Sequence, residues 1–316
     1  MAATITPVKD NTFSDPDLTR SPGESYFSGG QGFLMKEYYI ALVGLRVVLC
    51  TPHQITISES LQPFLTEKHQ QADCTIELQS CSSLPAFTES GTWNGLEYYD
   101  SNQGNLRIFH CTAQHKEAFA VTQLLENGDI HISVLPEYLS YFSGTAGIFN
   151  RIGLETLLLQ HKGLLLHASL INYQGNAIAF AGPSGVGKST QAEIWKQHLS
   201  AQIINGDRAA LRKTGEGWTA FGCPYAGTSG IYINSHAPLR AIVLLRQAKE
   251  NCLLPLSARE AFPLIYPEIS IHQWDKSFVT CATDLCLEML SEVPVYLLEC
   301  RPEESAALLV KKGLGL

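Results

Sequence analysis

The run Gly182-Pro183-Ser184-Gly185-Val186-Gly187-Lys188-Ser189 combines glycine, lysine and a hydroxyl at the spacing that grips a polyphosphate. Glycines allow successive backbone N–H groups to turn inward on phosphate oxygens, where side chains would obstruct them. A helical pattern follows, and its N-terminus would aim unsatisfied N–H groups and the positive dipole end at the same anion. Lys188 supplies charge for the β- and γ-phosphates, and Ser189 offers its hydroxyl to Mg²⁺. With Thr190 included, residues 182–190 are the expected nucleotide-binding set.

Two further residues have chemistry to offer. Ile203-Ile204-Asn205-Gly206-Asp207 reads as an apolar strand ending in an acid, nineteen positions after Lys188. An acid so placed sits on a neighbouring strand, as a second Mg²⁺ contact or as a base; as a bare pattern it also fits a turn aspartate. His167 lies in the apolar run Leu164 to Leu170, ahead of the loop. The sheet could bring it to the phosphates, yet a histidine among leucines also fits a hydrogen-bonded core position. The other histidines lack metal-ligand spacing, and no Ser/His/Asp or nucleophilic-cysteine signature stands out.

The elements that must position these residues are legible as changes of period. Residues 1–33 are rich in Asp, Ser, Pro and Gly without any period, which reads as a flexible leader. Residues 34–142 are strand-like and read as a β-rich module, with strand segments at Tyr38 to Cys50, Cys74 to Leu78, Leu106 to Cys111 and Asp129 to Leu135. Within them, Ser58 to Lys68 is expected to form one helix. From 143 to 316 the pattern becomes α/β. Ile148 to Leu158 recur at helical spacing, with Gly163 as the expected stop. A hairpin follows, Leu164 to Ile171 and Ala177 to Ala181, whose second strand runs into the loop. Strands and helices then alternate to a closing helix from Glu303, as in an α/β domain.

Composition narrows the partners. Hydrophobic residues make up 45% of the 316 and charged ones only 16%, which suits well-buried sheets. The net charge of −8 argues against nucleic acid and anionic membranes as partners. Nine scattered cysteines, an odd number without a Cys-x-x-Cys pair, read as reduced thiols in the cytoplasm. The start of the chain lacks the basic and apolar regions of a signal peptide.

Taken together, His167, the loop at 182–189 and Ile203 to Arg208 resemble the HPr kinase/phosphorylase family, within the phosphoenolpyruvate-carboxykinase-like P-loop group. The resemblance covers residues 150 to 316. It extends to HPr-kinase-related bacterial proteins, some of which phosphorylate peptides. There, a Gly-x-Pro-aromatic-x-Gly loop resembles Gly222-Cys223-Pro224-Tyr225-Ala226-Gly227, and the run Val293 to Pro302 resembles their C-terminal strand. The resemblance implies a P-loop kinase domain with a mixed sheet, preceded by the β-rich module. It implies ATP and Mg²⁺ as cofactors, His167, Lys188 and Asp207 as catalytic residues, and Ser189 and Asp207 as metal contacts. The acceptor would be a serine-type hydroxyl on a peptide, protein or small molecule; a homo-oligomer stays open. Two departures matter: the family carries two adjacent acids where this chain has Gly206-Asp207, and its later Gly-rich phosphorylase segment is absent. An ATP-binding regulator or scaffold without phosphotransfer is therefore the alternative. Arg208, Arg212, Arg240 and Arg246 are candidates for neutralising phosphate charge, and the 222–230 loop for admitting substrate.

Overall fold

The computed structural model describes residues 23–25, 35–68, 70–88, 91–94, 96–112, 117–225 and 227–316. The leader expected over 1–33 lies outside the described residues except for a short strand, β1 (Gly23–Ser25). The architecture is mixed α/β, built on two mixed sheets.

The first sheet has the strands β2 (Met35–Leu42), β3 (Leu45–Thr51), β4 (Cys74–Ser80), β5 (Thr92–Trp93), β6 (Glu97–Asn102), β7 (Asn105–Cys111), β8 (Ala118–Leu124) and β9 (Ile130–Val134). Their order is β1-β2-β3-β4-β9-β8-β7-β6-β5, with β4 parallel to both of its neighbours. Tyr38 to Cys50 is thus a hairpin rather than one strand. Its turn is Val43-Gly44, both at positive φ (49° and 75°), the combination whose twist matches the flanking strands. The helix expected over Ser58 to Lys68 shrinks to a 3₁₀ turn, Glu59–Phe64, because Pro63 inside it has no N–H to propagate an α-helix.

Two short helices, α1 (Thr145–Ile152) and α2 (Leu154–Gln160), replace the single helix expected there. Gly153, at φ +77°, breaks them. Gly163 is not the stop: Lys162 takes the left-handed conformation, and Gly163 opens the next strand. A Cβ there would meet Arg212 Cγ at 2.6 Å and Leu158 Cδ2 at 2.8 Å, so close packing explains the glycine.

The second sheet begins with the expected hairpin, β10 (Gly163–Tyr173) and β11 (Asn176–Ala181), closed by Gln174-Gly175. Then come α3 (Lys188–Leu199), β12 (Gln202–Asn205), β13 (Arg208–Thr214), β14 (Gly217–Phe221), β15 (His236–Gln247), β16 (Cys252–Leu256), α4 (Ala258–Ile265), α5 (Lys276–Glu292), β17 (Val295–Cys300) and α6 (Glu304–Leu314). β11 and β17 flank β15 in parallel, so Ala181, Gln247 and Cys300 end at one edge. The side chains of α3 and α6 bury Trp195, Ala192 and Val310 against one face, while α5 buries Phe278, Leu285 and Met289 against the other. A third cluster runs without interruption from Ile40 and Ile76 through Phe149 and Leu157 to Leu165 and Phe221, joining the two sheets. No helix among the described residues is long and apolar enough to cross a membrane.

A polar junction supplements this apolar one. Glu97 accepts a hydrogen bond from Tyr99 and lies 3.0 Å from His110 Nδ1, and Trp274 stacks on the Tyr99 ring. Burial pushes the Glu97 carboxyl up, but the hydrogen bonds from His110 and Tyr99 and the nearby histidine charge outweigh it, leaving a value of about 2. A carboxylate held below its unfolded value stabilises fully above the ordinary carboxylate range, and that contribution fades as pH falls toward about 2. Glu97→Gln is therefore expected to lower stability at neutral pH and to flatten the acid limb of the stability profile. Denaturant titrations from pH 7 to pH 2.5 check this: the two proteins should converge at the acid end.

Candidate functional site

The second sheet sends β11 out at its carboxyl edge into the loop 182–187, and α3 begins at once. Open α/β sheets place ligands at such edges. Gly187 caps α3 at φ +114°, a conformation that other residues rarely adopt, so the glycine keeps the loop tight against the helix start. Lys188 is buried, with Nζ donating to the Gly182 carbonyl at 2.8 Å and the Pro183 carbonyl at 3.3 Å. Burial holds this ammonium below the usual lysine range, while the charges of Glu268 and Asp207 act in the opposite direction. Ser189 Oγ donates to the Gly206 carbonyl at 3.5 Å, and Ser169 Oγ donates to the same carbonyl at 2.9 Å. The loop is thereby tied to the strand end that bears Asp207.

That strand end is formed by β12 and β13, which run as one interrupted strand along β10. Asn205 pairs with Leu170 and Arg208 with His167, and Gly206-Asp207 lie between. The Asn205 side chain, fully buried, holds the interruption open. Its Oδ1 accepts from the Asp207 and Arg208 N–H groups, both at 2.9 Å. Its Nδ2 donates to the Cys223 and Tyr225 carbonyls, also at 2.9 Å. The 222–230 loop is thus clamped over the strand end, and a Cβ on Gly227 would meet Asp207 Cγ at 2.6 Å. Ala226 lies outside the described residues. A Cβ on Gly206 would lie 2.2 Å from Ser229 Oγ, so a side chain at 206 would require Ser229 to move.

A second acid reaches the site from elsewhere. His167 Nε2 is 3.5 Å from Asp207 Oδ1, and His167 Nδ1 is 3.1 Å from Glu268 Oε2. Glu268 ends the turn Tyr266–Glu268 after α4. The next residues add to β10, through a bridge from Ile269 to Leu166 and a bond from Ser270 N–H to the Leu165 carbonyl. The imidazole is thus held between two carboxylates, one of which can orient it while the other faces a reacting proton. Two groups that belong to this site were not singled out in the sequence, Asn205 and Glu268. Asn205 left a trace, an amide at a strand end before Gly-Asp; Glu268 left none, because its place depends on pairing across a long separation.

The candidate arginines separate. Arg208 Nε is 3.3 Å from Asp207 and its Nη1 donates to Ser270 Oγ, while Arg246 adjoins the loop and pairs with Glu299 at 2.8 Å. Arg212 instead holds the His161 and Val43 carbonyls, and Arg240 the Leu314 carbonyl, so both act structurally. Burial pushes the Cys223 thiol up to about 12, which makes it a poor nucleophile. A cavity of about 600 Å³ lies between the loop and Glu268, and one of about 400 Å³ flanks Gly187, Thr190 and Arg301. Among the described residues, no three His, Cys, Asp or Glu side chains are grouped to hold a metal by themselves. The hydroxyl of Ser189 and the carboxylate of Asp207 suit Mg²⁺, which keeps waters and takes one or two carboxylates alongside phosphate oxygens.

No protein-family model matches the chain, and no curated protein matches it. Among solved structures it is similar to the Hpr(Ser) kinase/phosphatase from Coxiella burnetii, at 12% identity over 48% of this chain and 97% of that one. The TM-score is 0.29, a distant structural relationship.

Lys188→Ala removes the one ammonium at the loop. Charge-assisted hydrogen bonds contribute about 1.5–3 kcal/mol, so ATP affinity should fall by roughly 10- to 100-fold. Titration calorimetry with ATP and Mg²⁺ checks this, with a retained cooperative thermal transition as the control for folding.

Proposed function

We propose that the chain is an ATP-dependent kinase that transfers the γ-phosphoryl group to a serine-type hydroxyl of a peptide, protein or small molecule. The observation that carries this reading is His167 held between Asp207 and Glu268, at the strand end to which the phosphate loop is tied. Residues 143–316 would be the P-loop kinase domain, related in design to the HPr-kinase group, and residues 34–142 a β-rich module beside it. A cytoplasmic setting belongs to the same proposal.

Phosphoryl transfer requires positioning and charge neutralisation above all. Backbone N–H groups of 182–190 and the Lys188 ammonium would hold the phosphates. Lys188 would exchange its two carbonyl partners for phosphate oxygens. Ser189 and Asp207 would hold Mg²⁺, which supplies further charge neutralisation when bound. Asp207 would accept the proton of the acceptor hydroxyl, directly or through His167. Glu268 would keep the imidazole oriented.

Gly206, standing where the family resemblance places an acid, favours the alternative of an ATP-binding regulator without transfer. Glu268 favours the kinase, because it brings a second carboxylate to His167 by another route. The deciding experiment is incubation with γ-labelled ATP, Mg²⁺ and a panel of hydroxyl acceptors, with product read by mass. ATP binding with no phosphorylated product from any acceptor would exclude the kinase. If the reading is right, Asp207→Ala retains ATP affinity while turnover falls about 100-fold or more, the scale of a lost general base. Glu268→Gln should retain affinity and show a smaller loss, because the imidazole loses the partner that orients it.

A further inference from the structure

A separate cavity of about 640 Å³ has Asp207 and Arg208 in its wall but no residue of the loop 182–189. The spaces beside the loop, in turn, do not include Asp207. The strand end Gly206-Asp207 thus borders two spaces: Gly206 lines one with Ser189 on the loop side, and Asp207 lines the other. In-line transfer has that requirement, since nucleotide and acceptor must approach the phosphorus from opposite sides.

The lining restricts what fits. Another wall carries three linked hydroxyls: Ser58 N–H donates to Thr145 Oγ1 at 2.9 Å, Thr145 Oγ1 donates to Ser58 Oγ at 3.0 Å, and Ser58 and Ser60 Oγ are 3.4 Å apart. The Asn150 amide adds a further neutral donor and acceptor, and Phe149 and Leu165 an apolar surface. Charge in the wall is weighted to the negative, Asp207 and Glu155 against Arg208, and Arg208 is already engaged by Asp207 and Ser270. Among the described residues, an anionic acceptor would meet no uncommitted cation in this wall. The volume lies within the range of about 300–1,000 Å³ that small molecules occupy.

We propose that this cavity, built jointly by the 58–61 turn, α1 and the Asp207 strand end, binds the acceptor, and that the acceptor is a small uncharged polyol. The inference rests on the kinase reading. One acceptor hydroxyl oxygen forms the new bond to the γ-phosphorus as the bond from that phosphorus to the β,γ-bridging oxygen breaks. The hydroxyl proton passes to Asp207, and ADP leaves. The other hydroxyls pair with the Ser58, Ser60 and Asn150 groups, and the carbon skeleton lies on Phe149.

Two variants test this on the full chain, both at exposed α1 positions outside the nucleotide grip: Ala146→Trp, which fills the cavity, and Asn150→Leu, which removes its amide. The probes are glycerol, ribitol and myo-inositol, with a serine-containing peptide for comparison, all with γ-labelled ATP and Mg²⁺. The expected result is phosphorylation of at least one polyol. Its kcat/KM should fall about tenfold or more in Ala146→Trp and severalfold in Asn150→Leu, with ATP affinity unchanged in both, which also shows that they fold. Phosphorylation of the peptide and none of the polyols would overturn the polyol and leave the kinase standing. Polyol phosphorylation untouched by both variants would overturn the cavity. Bound ATP with no product from any probe would remove the kinase reading itself.

Discussion

One buried amide sets the geometry on which the rest depends. Asn205 uses both oxygen lone pairs and both amide hydrogens on four backbone groups, at the point where β12 stops and β13 begins. A buried polar side chain is tolerable only when its partners are all present. Here the partners belong to two segments, the strand end and the 222–230 loop, so satisfying the amide fixes both at once. Asp207 is placed by its own N–H being held, which leaves the carboxylate to face His167. Without the clamp, β12 and β13 would run on as an ordinary strand along β10, and position 207 would take its turn in the pleat.

β10 is the element against which everything else is registered. Along one side it carries β12 and β13, and along the other β11 and then Ile269. His167 sits where both partners change. That is why a residue in an apolar run faces carboxylates on either hand, and why the 182–187 loop, leaving the sheet after Ala181 opposite Ala168, begins beside it. Strand pairing alone brings together groups that lie about a hundred positions apart in the chain.

Charge at the site is arranged by packing as much as by residue type. Ser229 occupies the space a side chain at 206 would need, so an acid there would have to displace it. Glu268 restores a second carboxylate from the opposite side of the imidazole. Lys188 is desolvated and held on loop carbonyls, while the two carboxylates favour its charged form.

The local signals reached as far as local forces do. The glycine-rich turn between β11 and α3, the β10–β11 hairpin with Gln174-Gly175 at its turn, α3, and the strand ahead of Asp207 were all legible, because glycine spacing and apolar period act within a few residues. The same reading erred where a single residue cuts a period: Gly153 divides a helix, Val43-Gly44 folds a strand into a hairpin, and Pro63 shortens the helix after Ser58. His167 stood between a core role and a chemical one in the sequence, and its neighbours could not choose. In the fold Glu268 and Asp207 stand beside it, brought there by strand pairing that no local pattern encodes. The chain by itself thus specified a glycine-rich strand-to-helix turn and an acid after a strand. The closing of β10, β12–β13 and the 266–270 segment around one imidazole specified where that acid points, because long-range register decides which side chains meet.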